Sequence, residues 1–547
     1  MLVLNKPAGL NTHAPAPYAG EGFYDWLRHR EPRWAKLAII QRLDKETSGV
    51  IVFSKTSLAN RSLTEQFTRR MIRKKYLLLT DRKVPRMPLT VKSTLVRAGE
   101  KYISRPANAA GGLAETRFET YVGADVRKLI STSVLAPPPS AFKNEPPHVG
   151  SYNMVGAEPL TGRTHQIRVH AAASGFAILG DTLYGGPLAP RVYLHAAEIT
   201  LKHPADGRDL TFRAPADFET DPRFDLRTAF IEPETTDAYR IVHGASDGQP
   251  GWYVERLGDF LLSQGERPPD ARQREKLERL LKLSSARGAY HKTLTRLARR
   301  ASANQVSPQH LFGEEALEPL VIRENGARFE LSFREGYSVG LFLDQRDNRR
   351  RLLTGHVASG FPLFPLSPDT RHASPEILNC FAYTCAFSVC AAKAGALTTS
   401  LDLSKKYLDW GKRNFALNQI DPAGHDFIFG DVFDWLRRLL KKGRRFDLVL
   451  LDPPTFSQSK ERGVFRAEKD YAELISAALP LVNPGGVVFA STNSADWPPE
   501  EFVACVAAAV RGAKKKILQQ HYVPQPPDFP VSRDEPAYLK TIWLRIE

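Results

Sequence analysis

From about residue 330 onward, short apolar runs alternate with amphipathic stretches: "EILNCF", "AFSVCAAKAG", "LTTSLDLS", "KKYLDWGKRNFALN", "DLVLLDPP" and "GGVVFAS". A strand that is apolar on both sides has to be covered on both faces, and helices between parallel strands do that. The pattern predicts a parallel, doubly wound sheet with any ligand held beyond the carboxyl ends of its strands. The first 220 residues have another texture, short strands with turn punctuation, broken by the proline-rich "APPPSAFKNEPPHVG" at 136–150, which reads as an inserted surface loop. Residues 213–238, proline-bearing and weakly periodic, read as an interdomain linker. Next, "YRIVHGASDGQPGWYVERLGDFLL" predicts a hairpin and "RQREKLERLLKL" a charged amphipathic helix. No internal repeat is visible, so the chain reads as a fusion of unlike parts.

The 547 residues, 42% hydrophobic and 25% charged, are ordinary globular material for about three or four domains. No apolar run approaches the ~18 residues of a membrane helix, and "MLVLNKPAGL" is broken too soon by Pro7 and Gly9 to be a signal peptide. A cytoplasmic protein is expected. Four cysteines, three of them at 380, 385 and 390, make no secreted disulfide framework and suit a reducing compartment. Their five-residue spacing is neither a zinc pattern nor one helix face. A formal net charge of +16 points to a polyanionic partner, nucleic acid ahead of an acidic membrane surface, because each Lys or Arg meeting a phosphate displaces a counterion.

In the N-terminal part three short motifs lie far apart in sequence: "LNKPAGL" at 4–10, "QRLDKETSG" at 41–49, and "GRTHQIRVH" at 162–170 followed by "ILGDTLYGG" at 178–186. Between them the basic run "RRMIRKKYLLL", 69–79, leads into a strand carrying Tyr76. Taken alone, an Asp near an Arg is usually a structural ion pair. His165 and His170 lack a third ligand at metal-like spacing, so no metal is expected.

Taken together, these motifs resemble the RluA-type pseudouridine synthases over residues 1–220, with "RLD..TSG", "KKYL" and "GRTHQIRVH" in the family's order. The resemblance makes Asp44 the catalytic carboxylate, able to attack or stabilise an electron-poor sugar carbon while the base is detached, turned and rejoined. It assigns Arg168 to holding that carboxylate ionised, Tyr76 to packing on the base and relaying a proton, and Arg42 to filling the space left by a flipped nucleotide. No cofactor is implied for this half. The chain departs from the family in carrying Gln41 where members usually have histidine. It also begins inside the first motif, which suggests a trimmed domain or a misplaced start codon.

In the C-terminal part the candidate strand ends are "NCFAYTC" at 379–385, "LDLS" at 401–404, "GDVF" at 430–433 and "LDPPTF" at 451–456. An acid closing the second strand, Asp402, is placed to take the ribose hydroxyls of a nucleoside cofactor, and Asp431 to hold an adenine amino group. The rigid turn of Asp452, Pro453 and Pro454 fixes acceptors for a base nitrogen, and Phe456 offers a stacking face.

Residues 330–547 resemble the S-adenosylmethionine-dependent RlmI/RlmK group of large-subunit ribosomal RNA methyltransferases, through "GLFLDQRDNRR", "LNCFAYTCAFSV", "LDLSKKYLDWGKRNFALN" and "LDPPTFSQSK". Residues 236–330 resemble the small domain that precedes the methyltransferase in the RlmI branch. The resemblance implies that S-adenosylmethionine is bound through Gln345, Arg346, Asn379, Phe381, Tyr383 and Thr384 with Asp402 and Asp431. Asp452 becomes the catalytic acid, while Pro453, Pro454 and Phe456 hold the substrate base. The expected architecture is thus an α+β pseudouridine synthase domain with a mixed, largely antiparallel sheet over 1–220, a linker over 221–235, a small α+β domain over 236–330 and an α/β Rossmann-like methyltransferase domain over 331–547.

Methylating cytosine at carbon 5 requires a cysteine nucleophile, which the RlmI branch carries after the strand that here reads "VVFASTNSADW". This chain has Asn493 there, which points to a guanine nitrogen, with cytosine as the alternative. Cys385 stands where relatives usually have glycine in the cofactor loop, and its bulk is expected to narrow the pocket. The reading is a bifunctional enzyme acting on large-subunit ribosomal RNA. The alternative is one active half and one RNA-binding module. The sequence leaves the oligomeric state open.

Overall fold

The apolar and amphipathic runs after residue 330 form seven strands flanked by helices. In this computed structural model residues 1–120, 152–218, 221–294, 306–336, 338–364, 374–459 and 463–547 are described. The proline-rich stretch at 136–150 lies outside them. The chain divides into two compact units, one of residues 1–14, 22–25 and 36–229, the other of 15–21, 26–35 and 230–547.

In the first unit the strands are β1 (Leu2–Lys6), β2 (Ala38–Ile39), β3 (Ser48–Ser54), β4 (Arg73–Thr80), β5 (Leu89–Ala98), β6 (Lys101–Arg105), β7 (Gly112–Thr120), β8 (Asn153–Pro159), β9 (Leu194–Lys202) and β10 (Asp209–Arg213). They form one sheet in the order β1-β3-β9-β4-β8-β7-β5-β6, with β10 on β9 and β2 on β3. Only β3 and β9 run parallel, so the sheet is mixed and largely antiparallel, as expected. Helix Ser57–Thr68, capped by Thr56, buries Ala59 and Leu63 with Val50 and Val52 of β3. Helix Gln166–Ala173 buries Ile167 and Ala171 with Leu78, Phe118 and Val155. The expected linker carries a helix, Pro222–Thr228, because Asp221 caps it and a proline begins it.

The second unit opens with β11 (Ala238–His243), β12 (Trp252–Leu257), β13 (Phe260–Gly265), β14 (Gly288–Thr293) and β15 (Gln309–Gly313), paired in that order. The predicted hairpin is β11–β12–β13, and the predicted helix, Ala271–Ser284, crosses between the parallel β13 and β14 behind an Asp270–Gln273 capping box. A further hairpin pairs β16 (Leu320–Glu324) with β17 (Ala327–Leu331), and a short one pairs β18 (His356–Ala358) with β19 (Phe361–Pro362).

The doubly wound sheet comprises β20 (Glu376–Cys380), β21 (Leu397–Asp402), β22 (Asp426–Phe429), β23 (Phe446–Leu451), β26 (Val482–Thr492), β27 (Ile517–Pro524) and β28 (Lys540–Ile546), with the ribbon of β24 (Phe456–Ser459) and β25 (Gly463–Arg466) inserted after β23. Its order is β22-β21-β20-β23-β26-β28-β27. The first five strands are parallel, and β28 is antiparallel to both of its neighbours. Neighbouring residues on one strand supply opposite cores. Ile377, Leu448, Leu450 and Val487 face Phe387, Leu408 and Phe415 on one side, and Leu378, Val449, Leu451 and Val488 face Leu436, Leu474 and Val506 on the other. Full burial of each such side chain contributes about 1.5–3 kcal/mol, which is why these strands are apolar throughout. β16 and β17 share the first of these cores through Ile322, Phe329 and Leu331. β20 lies between β21 and β23, so the chain reverses its direction of winding there and leaves a crevice beyond the strand ends.

Candidate active sites

In the first unit the separated motifs meet. Lys6, fully buried, sends its Nζ to the carbonyls of Pro7, Leu10 and Lys45 at 2.9, 2.7 and 3.4 Å. Gly9 N–H donates to Lys45 O at 2.8 Å, and the Thr12 hydroxyl donates to Leu43 O at 2.8 Å. The first motif thereby holds the loop that carries Asp44. Lys6 was missed as a site residue, and its signal in the sequence was a lysine at the end of an apolar strand just before Pro7.

Asp44 is half-buried, and burial raises its carboxyl above the ordinary value while His165, Arg168 and Lys6 act against that. Tyr76, on β4, is held protonated by burial and by the Asp44 charge. Arg42 is exposed, consistent with a side chain that reaches outward. Arg168 pulls the Asp44 carboxyl down through its charge while its hydrogen bonds go elsewhere. Its Nε and Nη2 donate to the two oxygens of Asp181 at 2.7 Å each, and Nη1 lies 3.5 Å from Glu46. The guanidinium thus influences Asp44 through its field and not by pairing with it, because Asp181 of "ILGDTLYGG" supplies a buried bidentate acceptor. His165 Nε2 stands 4.0 Å from Asp44 Oδ2. The second histidine of the motif, His170, is a core residue, bonded to Ser93 Oγ at 3.0 Å and Thr116 Oγ1 at 2.9 Å.

In the second unit the expected residues lie at or just after the carboxyl ends of β20, β21, β22 and β23, except Gln345 and Arg346, which belong to the helical segment 343–354, and they have different duties. Asp402 accepts the backbone N–H of Tyr383 at Oδ2 and of Ser404 at Oδ1, both at 2.8 Å. Each oxygen keeps a lone pair, so the carboxylate still fits a ribose diol. Burial raises it, and those two N–H groups pull it back. Asp431 caps helix Val432–Lys441 through the N–H groups of Phe433 and Asp434 at 3.0 and 3.2 Å. A pocket beside it is lined by Phe381, Leu403, Val432, Phe433 and Phe465. The lining is mostly apolar, with Asp431 and Ser457 as its polar side chains. Leu403, Val432, Phe433 and Phe465 were not anticipated, although an apolar residue directly after each strand-ending acid was the readable sign for the first two.

Other assignments shift inward. Arg346 is buried and gives a bidentate pair to Asp528, at 2.9 and 2.6 Å, so its guanidinium is structural and not a cofactor contact. Asn379 is buried with its amide on Ser388 Oγ at 2.9 Å. Thr384 donates to Gly340 O at 2.7 Å. The loop after β20 sets Phe381, Tyr383 and Cys385 in left-handed backbone, at φ +60, +49 and +60°. Cys385 is fully buried, and its Sγ packs on helix Lys405–Leu417 so closely that a Cβ on Gly411 would lie 2.3 Å away. The side chain that stands in place of the glycine is therefore accommodated by a glycine on the facing helix.

Asp452 follows β23. Gln345 Nε2 lies 3.3 Å from both of its oxygens and 2.8 Å from Ser491 Oγ. Gln345 is aimed by Asn348, whose amide donates to its Oε1 at 2.8 Å while Trp543 Nε1 donates to Asn348 Oδ1 at 3.0 Å. Burial, with the Asp344 charge nearby, raises Asp452 to about 6. Pro453 is buried, Pro454 exposed, and Phe456 begins the β24–β25 ribbon. Asn493 is exposed just past β26. Burial pushes the Cys385 thiol up to about 12 and raises those of Cys380 and Cys390 as well.

Among the described residues, Glu21, His29 and His521 bring ligand atoms within 4.8 Å of one another, but the Arg351 guanidinium is 3.7 Å from Glu21 and opposes a cation. No described helix is long and apolar enough to cross a membrane.

A sheet of this order, with an acid closing its second strand and Asp-Pro-Pro after its fourth, defines an S-adenosylmethionine-binding transferase. Residues 267–545 match the S-adenosylmethionine-dependent methyltransferase family, and the chain belongs to it. Residues 1–173 match the RNA pseudouridylate synthase family, so the chain joins a pseudouridine synthase domain to a methyltransferase. It is 35% identical over 336 residues to the ribosomal RNA large subunit methyltransferase of Deinococcus radiodurans, covering 59% of this chain and 76% of that one. It is 30% identical to ribosomal RNA large subunit methyltransferase I of Aeromonas salmonicida, covering 58% and 77%. Among solved structures, SMU.776 complexed with SAH aligns at a TM-score of 0.50 and 30% identity over 59% of this chain and 79% of that one. The cofactor is S-adenosylmethionine, which supplies an electrophilic methyl group.

Proposed function

We propose that the protein modifies large-subunit ribosomal RNA twice, isomerising uridine to pseudouridine at Asp44 and transferring a methyl group to a guanine nitrogen beside Asp452. The observation that carries the reading is that each unit holds a carboxylate in place through side chains from distant parts of the sequence. Asp44 sits on a loop tied down by Lys6 and Thr12, and Asp452 is held by Gln345 and Ser491. The RNA partner and the large-subunit target are carried over from the relatives' names and agree with the net charge of +16.

In the first unit the base would lie on Tyr76, with Asp44 acting on the sugar carbon and Arg42 taking the vacated space in the stack. In the second, Asp402 would hold the ribose of the methyl donor and the slot around Leu403 and Val432 its adenine, leaving Asp452, Pro453 and Phe456 to orient the accepting base. A guanine nitrogen attacks the methyl carbon directly, so positioning supplies the catalysis. Cytosine C5 would need a thiolate, and the position after β26 holds Asn493 while Cys380, Cys385 and Cys390 are buried and held as thiols.

The test is nucleoside mass spectrometry of ribosomal RNA from a strain lacking the gene, complemented with wild type, Asp44→Asn or Asp452→Ala. One pseudouridine should vanish with the first variant and one methylguanosine with the second. Loss of a single mark would leave the other half as an RNA-binding module, and a lost 5-methylcytidine would overturn the guanine reading.

A further inference from the structure

The partner that the motifs provide for Asp44 is committed elsewhere, since Arg168 gives its fork to Asp181 and its third nitrogen faces Glu46. The group that does stand against the carboxylate is His165, Nε2 4.0 Å from Oδ2. Its placement is built, not incidental. His165 adopts φ +56°, a left-handed conformation at the start of helix Gln166–Ala173. That turn is pinned by the Gln166 side chain, which accepts from Thr161 Oγ1 at 2.6 Å and Arg163 N at 3.0 Å and donates to Glu115 O and Thr116 Oγ1 at 2.9 Å each. The rings of Tyr102 and Tyr184 meet the imidazole edge-on at 5.8 and 5.6 Å and fix its plane.

The tautomer follows from the hydrogen bonds. The Tyr102 backbone N–H donates to the Tyr184 hydroxyl oxygen at 2.9 Å, leaving that hydroxyl's proton for His165 Nδ1, 2.8 Å away. With Nδ1 accepting, Nε2 carries the hydrogen, on the side that faces Asp44.

We propose that His165 is the positioning residue of Asp44: a neutral imidazole, oriented by Tyr184, whose Nε2–H holds the carboxylate ionised and aimed at the sugar while Arg168 stays paired with Asp181. This rests on Asp44 being the pseudouridine-forming carboxylate. At 4.0 Å the two groups are beyond hydrogen-bond reach in the free protein, a gap that bound substrate would have to close. Burial lowers His165 below its ordinary value, against the pull of Asp44, Glu46 and Asp181 and with the help of Arg168, so the ring is neutral near pH 7. Lys6 and Glu46 complete the charges that act on Asp44, and Tyr76 is held protonated beside it.

The test uses the full chain and ribosomal RNA isolated from a strain lacking the gene, with single-turnover pseudouridine formation followed across pH. His165→Ala should lower kcat about tenfold with KM little changed, and move the acid limb of kcat up by about one pH unit, because Asp44 loses a donor to its charged form. His165→Gln, which restores an N–H of similar reach, should bring the limb back. Tyr184→Phe, which leaves the left-handed turn intact, should shift it the same way by less. An unmoved limb in His165→Ala, a rise in KM alone, or a Gln variant as poor as Ala would overturn the proposal. Full activity in Asp44→Asn, or no pseudouridine from the wild type, would instead overturn the reading beneath it. In that event the histidine ring ¹⁵N signals still decide: His165 should show the Nε2–H tautomer and respond to Asp44→Asn, and a signal that ignores Asp44 refutes the pair.

Discussion

Asp452→Asn should stabilise the fold while ending methyl transfer. Asp452 is raised from 3.8 to about 6 because burial and the Asp344 charge outweigh the bonds from Gln345 and Ser491. Two units at ~1.4 kcal/mol each give about 3 kcal/mol of native-state cost for the ionised form. The side chain keeps some exposure, so solvent screening reduces this to about 1–3 kcal/mol. The sign follows from proton linkage. A carboxyl whose folded value lies above its unfolded one costs nothing while both states are protonated, below about pH 4, and costs its full amount once both are ionised, above about pH 6. An asparagine keeps an oxygen for Gln345 and never ionises. Urea unfolding of wild type and variant at pH 4.5 and pH 8, following the transition that S-adenosylmethionine shifts, should show the variant more stable by about 1–3 kcal/mol at pH 8 and the gap mostly closed at pH 4.5. A variant equal to or weaker than wild type at pH 8 would mean that the carboxylate is well solvated or well paired, and the argument would fail.

Other outcomes follow from particular contacts. Gly411→Ala alone should destabilise by about 1–3 kcal/mol, since its methyl would meet Cys385 Sγ at 2.3 Å. In a Cys385→Gly background the same change should stabilise by up to about 1 kcal/mol through helix propensity, and additive thermal shifts would refute the coupling. Arg346→Met should cost about 3–5 kcal/mol by stranding Asp528, so soluble yield and melting temperature should fall before cofactor affinity is measurable. Asp402→Ala should cost about 1–3 kcal/mol of stability, because the N–H groups of Tyr383 and Ser404 lose their acceptor, and should weaken S-adenosylhomocysteine binding by about tenfold or more in calorimetry. Lys6→Met should release the loop of Asp44 and abolish pseudouridine formation while methyl transfer continues.

The sequence by itself determined the two architectures and singled out two acids as catalytic candidates. Apolar runs such as "DLVLLDPP" must be buried on both faces, which forces helices onto a parallel sheet, and strand-ending acids then fall at its ligand edge. Asp44 was legible from its motif, and Asp402 and Asp452 because an acid at the end of a strand has its place set by that strand, whichever distant partners surround it. What only the tertiary structure decided is how the long polar side chains divide their hydrogen bonds. Arg168 and Arg346 sit in motifs as functional residues do, yet Asp181 and Asp528, 13 and 182 residues away, offer better buried acceptors and take them. Lys6 acts through carbonyls that carry no side-chain signature. Cys385 is accommodated by Gly411 on another helix, and His165 is aimed by the hydroxyl of Tyr184. A local pattern fixes which face of an element is apolar, because burial is nearly proportional to area. It cannot say which of several acids an arginine meets, because hydrogen bonds depend on direction and on distances that only folding sets.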